Sequence, residues 1–287
     1  MKEIVILSGK GGTGKTSIAA ALASVAKNAI ICDSDVDAAD LHLLLHPEKK
    51  EEHAFSGGWI VQINSAACTK CRFCMDVCRY GAIRFNRSGQ LEINPFQCEG
   101  CRLCERKCPA QAITSIRNDS NFWYVSETRF GKMVHAKMSP GEDNSGKLVT
   151  QIRSRAKEIA KEDNMSYIIN DGPPGIGCAT ISSLTGSQAV LIVAEPSKSG
   201  LHDLERLVEL ISKFSIPAYA VINKYDIDLQ LSSEIEAYLE KNSIPLLDKI
   251  PFTKDIVKAM VEGKTITEFN KDSDITNSII RIWEKIK

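Results

Sequence analysis

The sequence predicts a doubly wound α/β domain on a mostly parallel sheet, interrupted by a small second module. Three observations carry this prediction. Short β-branched runs alternate with amphipathic stretches in both outer parts of the 287-residue chain. A glycine-rich turn, Gly9-Lys10-Gly11-Gly12-Thr13-Gly14-Lys15-Thr16, follows the first apolar run and opens the first amphipathic stretch. Eight of the ten cysteines fall into two copies of C-x2-C-x2-C-x3-C: Cys68, Cys71, Cys74 and Cys78, then Cys98, Cys101, Cys104 and Cys108.

In chain order, Glu3–Leu7, Ala29–Cys32, Tyr167–Asn170, Ala189–Ala194, Ala218–Ile222 and Leu246–Ile250 read as strands. Several are continuous β-branched runs, as strands buried on both faces require. Helical periodicity marks Lys15–Lys27, Lys147–Lys161, Leu201–Phe214, Ser232–Lys241, Thr253–Glu262 and Asp274–Lys285. The rhythm stops at the cysteines, which sets the insert at 64–117 and leaves 1–63 and 118–287 as one discontinuous domain. Within the insert the repeat also pairs Arg72 with Arg102, Ala82 with Ala112 and Ile83 with Ile113, implying a pseudo-two-fold module. So little apolar content implies folding driven largely by bound metal. Phe122–Arg129 and Met133–Met138, joined at Gly131, read as a hairpin back to the main sheet, and Ser139–Gly146 as a loop.

Bulk properties exclude several function classes. Lys+Arg 36 balance Asp+Glu 36, and no basic run stands out, so nucleic acid is not an expected partner. The short apolar start runs straight into the glycine turn and reads as a strand, not a signal peptide. No apolar stretch is long enough to span a bilayer. Cysteines spaced for metal need a reducing compartment, so the expected location is the cytoplasm.

The glycine turn has the form of a phosphate-binding loop. Backbone N–H groups converge on phosphate oxygens, Lys15 reaches the β/γ-phosphates, and the Thr16 hydroxyl is placed for Mg²⁺, with Ser17 following. Gly9, Gly11 and Gly14 also satisfy G-x-G-x-x-G, with Asp33 and Asp35 about 20 residues on, as a dinucleotide fold would have. The adjacent Lys15-Thr16 and a second strand-end acid, Asp171, favour the Mg²⁺–triphosphate reading and a P-loop NTPase fold.

Together with CDSDVDAADL (Cys32–Leu41) and INDGPPGIG (Ile169–Gly177), this loop resembles the deviant Walker ATPases. These include septum-positioning and partition ATPases, the nitrogenase iron protein and iron–sulfur carrier ATPases. The chain looks most like septum-positioning-type ATPases with an inserted ferredoxin domain. The resemblance implies an Mg-dependent ATPase and a nucleotide-dependent homodimer. It gives Lys10 the role of reaching the partner's nucleotide, Asp35 that of orienting the attacking water, Asp171 a link to Mg²⁺ and Asn223 base reading. Asn223-Lys224-x-Asp226 also spells a guanine-reading motif, so ATP, which the deviant loop favours, is less firmly indicated than the phosphates. Asp33 is placed at second rank, and Asp37 in a solvated acidic loop.

The repeated cysteine spacing is that of bacterial ferredoxins with two [4Fe–4S] clusters, the fourth cysteine of each run ligating the other cluster. This assigns Cys68, Cys71, Cys74 and Cys108 to one cluster and Cys98, Cys101, Cys104 and Cys78 to the other. Paired zinc knuckles are the alternative, and Pro109 directly after Cys108 favours iron–sulfur. Cys178, seven residues after Asp171, is a candidate bridging ligand between subunits by likeness to the nitrogenase iron protein; a small buried cysteine is the plainer expectation. Cys32 reads as core. His42 and His46 lack a third ligand, and the last helix reads as packed on the sheet in preference to a membrane tail. The combined expectation is an ATPase whose cycle gates electron transfer through two clusters to a redox or metallocofactor partner. A helper or scaffold in metal-cluster assembly is the first alternative, and a redox-sensing positioning ATPase the second.

Overall fold

The computed structural model describes residues 1–119, 121–138 and 144–287. The first elements are β1 (Lys2–Ser8), α1 (Lys15–Val25), β2 (Ala29–Asp33), α2 (Leu41–Leu45), β3 (Glu48–Phe55) and β4 (Gly58–Ile63). Then come α3 (Phe73–Val77), β5 (Ile83–Phe85), β6 (Leu91–Ile93), α4 (Leu103–Lys107), β7 (Ile113–Asn118), β8 (Asn121–Thr128) and β9 (Gly131–Lys137). The remainder is α5 (Ser145–Glu162), β10 (Tyr167–Pro174), α6 (Cys178–Leu184), β11 (Ala189–Ala194), α7 (Lys198–Ser212), β12 (Ala218–Asn223), α8 (Leu229–Lys241), β13 (Leu246–Ile250), α9 (Lys254–Val261), α10 (Ile266–Phe269) and α11 (Asp274–Ile286). The chain forms two compact units, one of 1–53, 123–137 and 145–287, the other of 54–122 and 138–144; residues 64–117 fall in the second.

Among the described residues the main sheet runs β13-β12-β11-β1-β10-β2-β9-β8-β3. Its central pairs, including β1 with β10 and β11, and β10 with β2, are parallel. Such strands are covered on both faces, which is why Val5, Ile6, Ile30, Ile192 and Val221 are all buried. One face packs α1 and α11 through Ile18, Leu22, Ile279, Ile282 and Ile286; the other packs α7 and α8 through Leu204, Leu207, Ile235 and Leu239. The chain leaves β1 on its β2 side and later adds β11 on the other, so the loop after β1 opens at a switch point. The doubly wound, mostly parallel sheet predicted from the alternating pattern is the observed fold.

Two departures have local causes. β3, with the sequence EKKEEHAF, carries no apolar run because it is the sheet's edge, where charge blocks further pairing. α2 and α10 are too short for periodicity to register. The predicted loop Ser139–Gly146 lies largely outside the described residues, and Ser145 and Gly146 already belong to α5. The apolar side of α11 is occupied: Ile279, Ile282 and Ile286 are at most 1% exposed. No helix among the described residues is long and apolar enough to cross a membrane.

α10 opens with a reciprocal capping box between Thr265 and Glu268, and Glu268 also accepts from Arg129 Nε at 2.6 Å and Nη2 at 2.8 Å. Burial alone would raise this carboxyl, but Arg129 and the Thr265 N–H override it and hold it at about 2. A carboxylate depressed on folding contributes stability above its unfolded value near 4.5 and loses that contribution as pH falls toward about 2. Glu268→Gln should therefore cost about 1 kcal/mol at neutral pH, after discounting for solvent, and flatten the stability profile between those limits. Urea melts from pH 2 to 7 check this; parallel profiles for both proteins would contradict it.

Candidate functional site

The register of the sheet assembles the nucleotide residues. Parallel pairing sets Asp171 beside Asp33, the last residue of β2, and Ile6, two residues before β1 ends and the glycine loop begins; β10 itself runs on to Pro174, so Asp171 lies inside its strand and not at the end expected from the apolar run. Ser34 N–H donates to Asp171 O at 2.8 Å and Asp35 N–H to Asp33 Oδ1 at 3.1 Å, which carries Asp35 into the same spot. Gly14, the residue before α1, has φ +90, and a Cβ there would run into the Asn223 amide; only glycine fits.

Lys15 opens α1 with its side chain 6% exposed and its Nζ 2.8 Å from Asp171 Oδ1 and 3.4 Å from Asp35 Oδ2. Burial pulls this ammonium down, but Asp171, Asp35 and Asp33 together raise it above the ordinary lysine value. Burial also pushes Asp35 up to about 6 against the pull of Lys15, and raises Asp33 well above its usual range with Asp171 adding repulsion. Three acids thus share one cation. Several buried oxygens around the loop have no hydrogen-bond partner, among them Asp171 Oδ2, Asp33 Oδ2, Thr13 Oγ1 and Asn223 Oδ1. Such atoms call for a bound group to satisfy them.

The loop borders a cleft of about 540 Å³, a size that suits a nucleotide, lined by Gly11 to Ser17, Asp35 and Asn223. Apolar side chains, among them Leu43, Ile256 and Met260, also line it. Gly9, Lys10 and Asp171 do not line it. Asp171 is covered by Lys15, and Lys10 turns away to Glu195 at 2.6 Å. Asn223 Nδ2 donates to Thr13 O at 2.7 Å, and Lys224 Nζ donates to Gly12 O at 2.8 Å. Asp226 Oδ1 accepts the Phe252 N–H at 2.6 Å, and Asp226 is not among the lining residues. Glu195, missed by sequence reasoning, lies just beyond β11; burial would raise its carboxyl, but Lys10 and Lys224 hold it below the ordinary value. Asp37 is exposed.

The second unit shows its repeat in the backbone. Arg72 and Arg102 precede α3 and α4 in the left-handed region, at φ 68 and 63. Asn64 N–H donates to Ala112 O at 2.8 Å, and Asn94 N–H to Ala82 O at 2.7 Å. β4 pairs β7 and β5 pairs β6, both antiparallel, around a small core of Val61, Ile83, Leu91 and Ile113. Two cavities flank that core. Cys68, Cys71, Cys74 and Cys108 line one; Cys98, Cys101, Cys104 and Cys78 line the other. Each therefore takes its fourth sulfur from the opposite run. The Ala112 N–H donates to Cys108 Sγ at 3.3 Å. Burial raises Cys74 and pushes Cys104 to about 11; thiols binding metal would give up their protons. Among the described residues no three His, Cys, Asp or Glu side chains group as a single ion's ligands would. Cys178 begins α6 and is exposed, against the plainer expectation of a buried cysteine, whereas Cys32 is buried, with its thiol near 12.

The family description "CobQ/CobB/MinD/ParA nucleotide binding domain" matches residues 4–266. An uncharacterized protein of Methanocaldococcus jannaschii is 32% identical over 288 residues, covering 99% of this chain and 96% of that one. An iron-sulfur cluster carrier protein of Rickettsia bellii is 28% identical over 128 residues, 44% of this chain and 40% of that protein. The septum site-determining protein MinD complexed with Mg-ADP, from Pyrococcus horikoshii OT3, has the same fold, with a TM-score of 0.62 at 17% identity, covering 100% of this chain and 96% of that one. Since the match begins inside β1 and ends in α10, it spans the phosphate loop, Asp33, Asp171 and Asn223, and the chain belongs to the CobQ/CobB/MinD/ParA family of P-loop ATPases.

Proposed function

We propose that this chain couples ATP hydrolysis to electron transfer, through two [4Fe–4S] clusters, toward a redox or metallocofactor partner. The observation that carries the reading is the cross-paired lining of the two cysteine cavities. Four thiols around each cavity, the fourth exchanged between runs, is the donor set that two cubane clusters take. Cys68, Cys71, Cys74 and Cys108 would hold one, and Cys98, Cys101, Cys104 and Cys78 the other, within an inserted ferredoxin module over about 64–117. When bound, such clusters supply one-electron storage. Val61, Leu91 and Ile113 keep water from the inner sulfurs, since Cys74 and Cys104 are under 10% exposed.

In the ATPase unit the residues present fit a Mg²⁺–triphosphate. Lys15 would exchange its carboxylates for β/γ-phosphate oxygens, and Thr16 and Asp171 would serve Mg²⁺, the roles a Mg²⁺–triphosphate site requires; the P. horikoshii protein of the same fold is itself complexed with Mg-ADP. Asp35, released from Lys15, would orient the attacking water. Asp226 does not line the cleft, which supports adenine over guanine, because a guanine-reading carboxylate has to face the base. The cycle would run in a homodimer, with Lys10 reaching the partner's nucleotide. Cys178, being exposed, remains a candidate ligand for a shared site on the dimer axis.

Anaerobic reconstitution tests the clusters. The wild-type chain should take up about eight irons and show the spectra of two reduced cubanes, and Cys104→Ser should hold about four. A colourless wild-type sample, or zinc in place of iron at every preparation, would refute the assignment. The partial match to the Rickettsia carrier favours a second reading, help in cluster assembly. Capture of a partner on an ATP-bound Asp35→Ala variant separates the two. Reduction of the captured protein without iron transfer supports gating, and iron transfer supports assembly.

A further inference from the structure

Lys10 is fully engaged inside its own subunit. Its Nζ lies 2.6 Å from Glu195 Oε1 and donates to Ser197 Oγ at 3.0 Å and Ser199 Oγ at 3.2 Å. An ammonium has three protons, so these acceptors fill it. The other oxygen of Glu195 pairs with Lys224 Nζ at 3.0 Å, and Lys224 donates to Gly12 O at 2.8 Å. One carboxylate therefore ties together the phosphate loop, the Asn223–Lys224 loop and the start of α7. Ser197 is itself the cap of α7, accepting from Gly200 N–H at 3.1 Å, and a Cβ on Gly200 would sit 2.5 Å from Glu195 O. The turn that presents the acceptors is closed tightly.

We propose that Glu195 is a positioning residue that latches Lys10 in the resting subunit and sets how readily a second, nucleotide-loaded copy of this chain claims it. The proposal rests on the reading above that Lys10 reaches a partner's nucleotide. Charge selects the trigger. Drawing an ammonium off a carboxylate and two hydroxyls is offset only by an anion of similar strength, and the phosphates of the second copy's ATP supply one. The second lysine makes release reversible. When Lys10 leaves, Glu195, 15% exposed, keeps Lys224 and does not become an unpaired, mostly buried carboxylate. Both subunits of a two-fold dimer must open their latches, so the association constant carries the latch twice.

Two measurements on the full chain test this. Lys10 acetylation by an amine-reactive reagent, mapped by mass spectrometry on nucleotide-free protein, should run several-fold faster in Glu195→Gln than in wild type, with Lys132 unchanged. Sedimentation equilibrium with ATPγS should show the variant's dimer about ten-fold tighter per latch, roughly 100-fold overall. Ser199→Ala, which removes one hydroxyl, should move both readouts the same way by less, and it serves if Glu195→Gln does not fold. Unchanged Lys10 labelling overturns the latch. Faster labelling with an unchanged or weaker dimer overturns its role in association. A wild-type chain that stays monomeric with ATPγS overturns the dimer reading and the proposal with it, and the labelling distinguishes that case from a failed latch.

Discussion

Lys15→Ala should slow ATP hydrolysis by on the order of 10²–10³-fold and remove nucleotide-induced stabilisation, while leaving a folded protein. On the reading proposed above the side chain would contribute one preorganised charge where the transferring phosphoryl group gathers negative charge, and the neighbouring lysines of the resting subunit are engaged elsewhere. Lys10 is committed to Glu195, and Lys224 to Glu195 and Gly12 O. The variant also carries an electrostatic signature that separates loss of charge from loss of shape. Asp33, Asp35 and Asp171 would face one another with no cation between them. Asp35 already sits near 6 because burial disfavours its charge, and Lys15 is what restrains it. A carboxyl raised above its unfolded value of 3.8 costs stability as pH climbs toward its folded value. Without Lys15 that window moves upward, so the variant should be more stable at pH 6 than at pH 8. Thermal melts from pH 5 to 9, with and without MgATP, record both effects. Hydrolysis within ten-fold of wild type would remove Lys15 from the chemistry.

What the sequence disclosed depended on whether the physics was local. The glycine loop was readable because backbone N–H groups can cradle phosphate only with glycines at fixed offsets. The grouping of the cysteines around two cavities was readable for the same reason: their spacing is set by the loop that carries them. Central strands announced themselves because burial on both faces forbids polar residues, and β3 did not because an edge is free to be charged. Glu195 is one acid after an apolar run, and its partners are 185 and 29 positions away in number, so only the fold reveals it. Asn223-Lys224-x-Asp226 shows the opposite limit. The motif is intact, yet Asp226 spends an oxygen on Phe252 N–H, a use that spacing cannot express.

The largest stability effect should come from a residue that no motif marks. Glu3, the second residue of the KEIVILS strand, is fully buried. Arg153 of α5 clamps it with Nε on Oε1 at 2.6 Å and Nη2 on Oε2 at 2.7 Å; Lys157 adds a contact at 2.9 Å and Asn170 Nδ2 another at 3.2 Å. Arg153 also donates to Ser182 O and to Thr185 O, so one carboxylate fastens α5 and the end of α6 to the sheet. Glu3→Ala would strand a guanidinium that is 5% exposed, and breaking such a pair costs about 3–5 kcal/mol. For a domain of this size that lowers Tm by roughly 10 °C. The argument makes a sharper demand of the double variant. Glu3→Leu with Arg153→Leu leaves no buried charge at the pair, and Lys157, 30% exposed, can turn to water. The double variant should therefore be more stable than Glu3→Ala alone, and a double-mutant cycle closed with the single variants Glu3→Leu and Arg153→Leu should show a coupling above about 1 kcal/mol. Additive losses would mean that Glu3 contributes by packing and not by charge. Because Asn170 precedes Asp171 directly, the single variant should also raise the ATP concentration needed for half-maximal hydrolysis, and the double variant, which restores packing but not the Asn170 bond, should recover stability without recovering that.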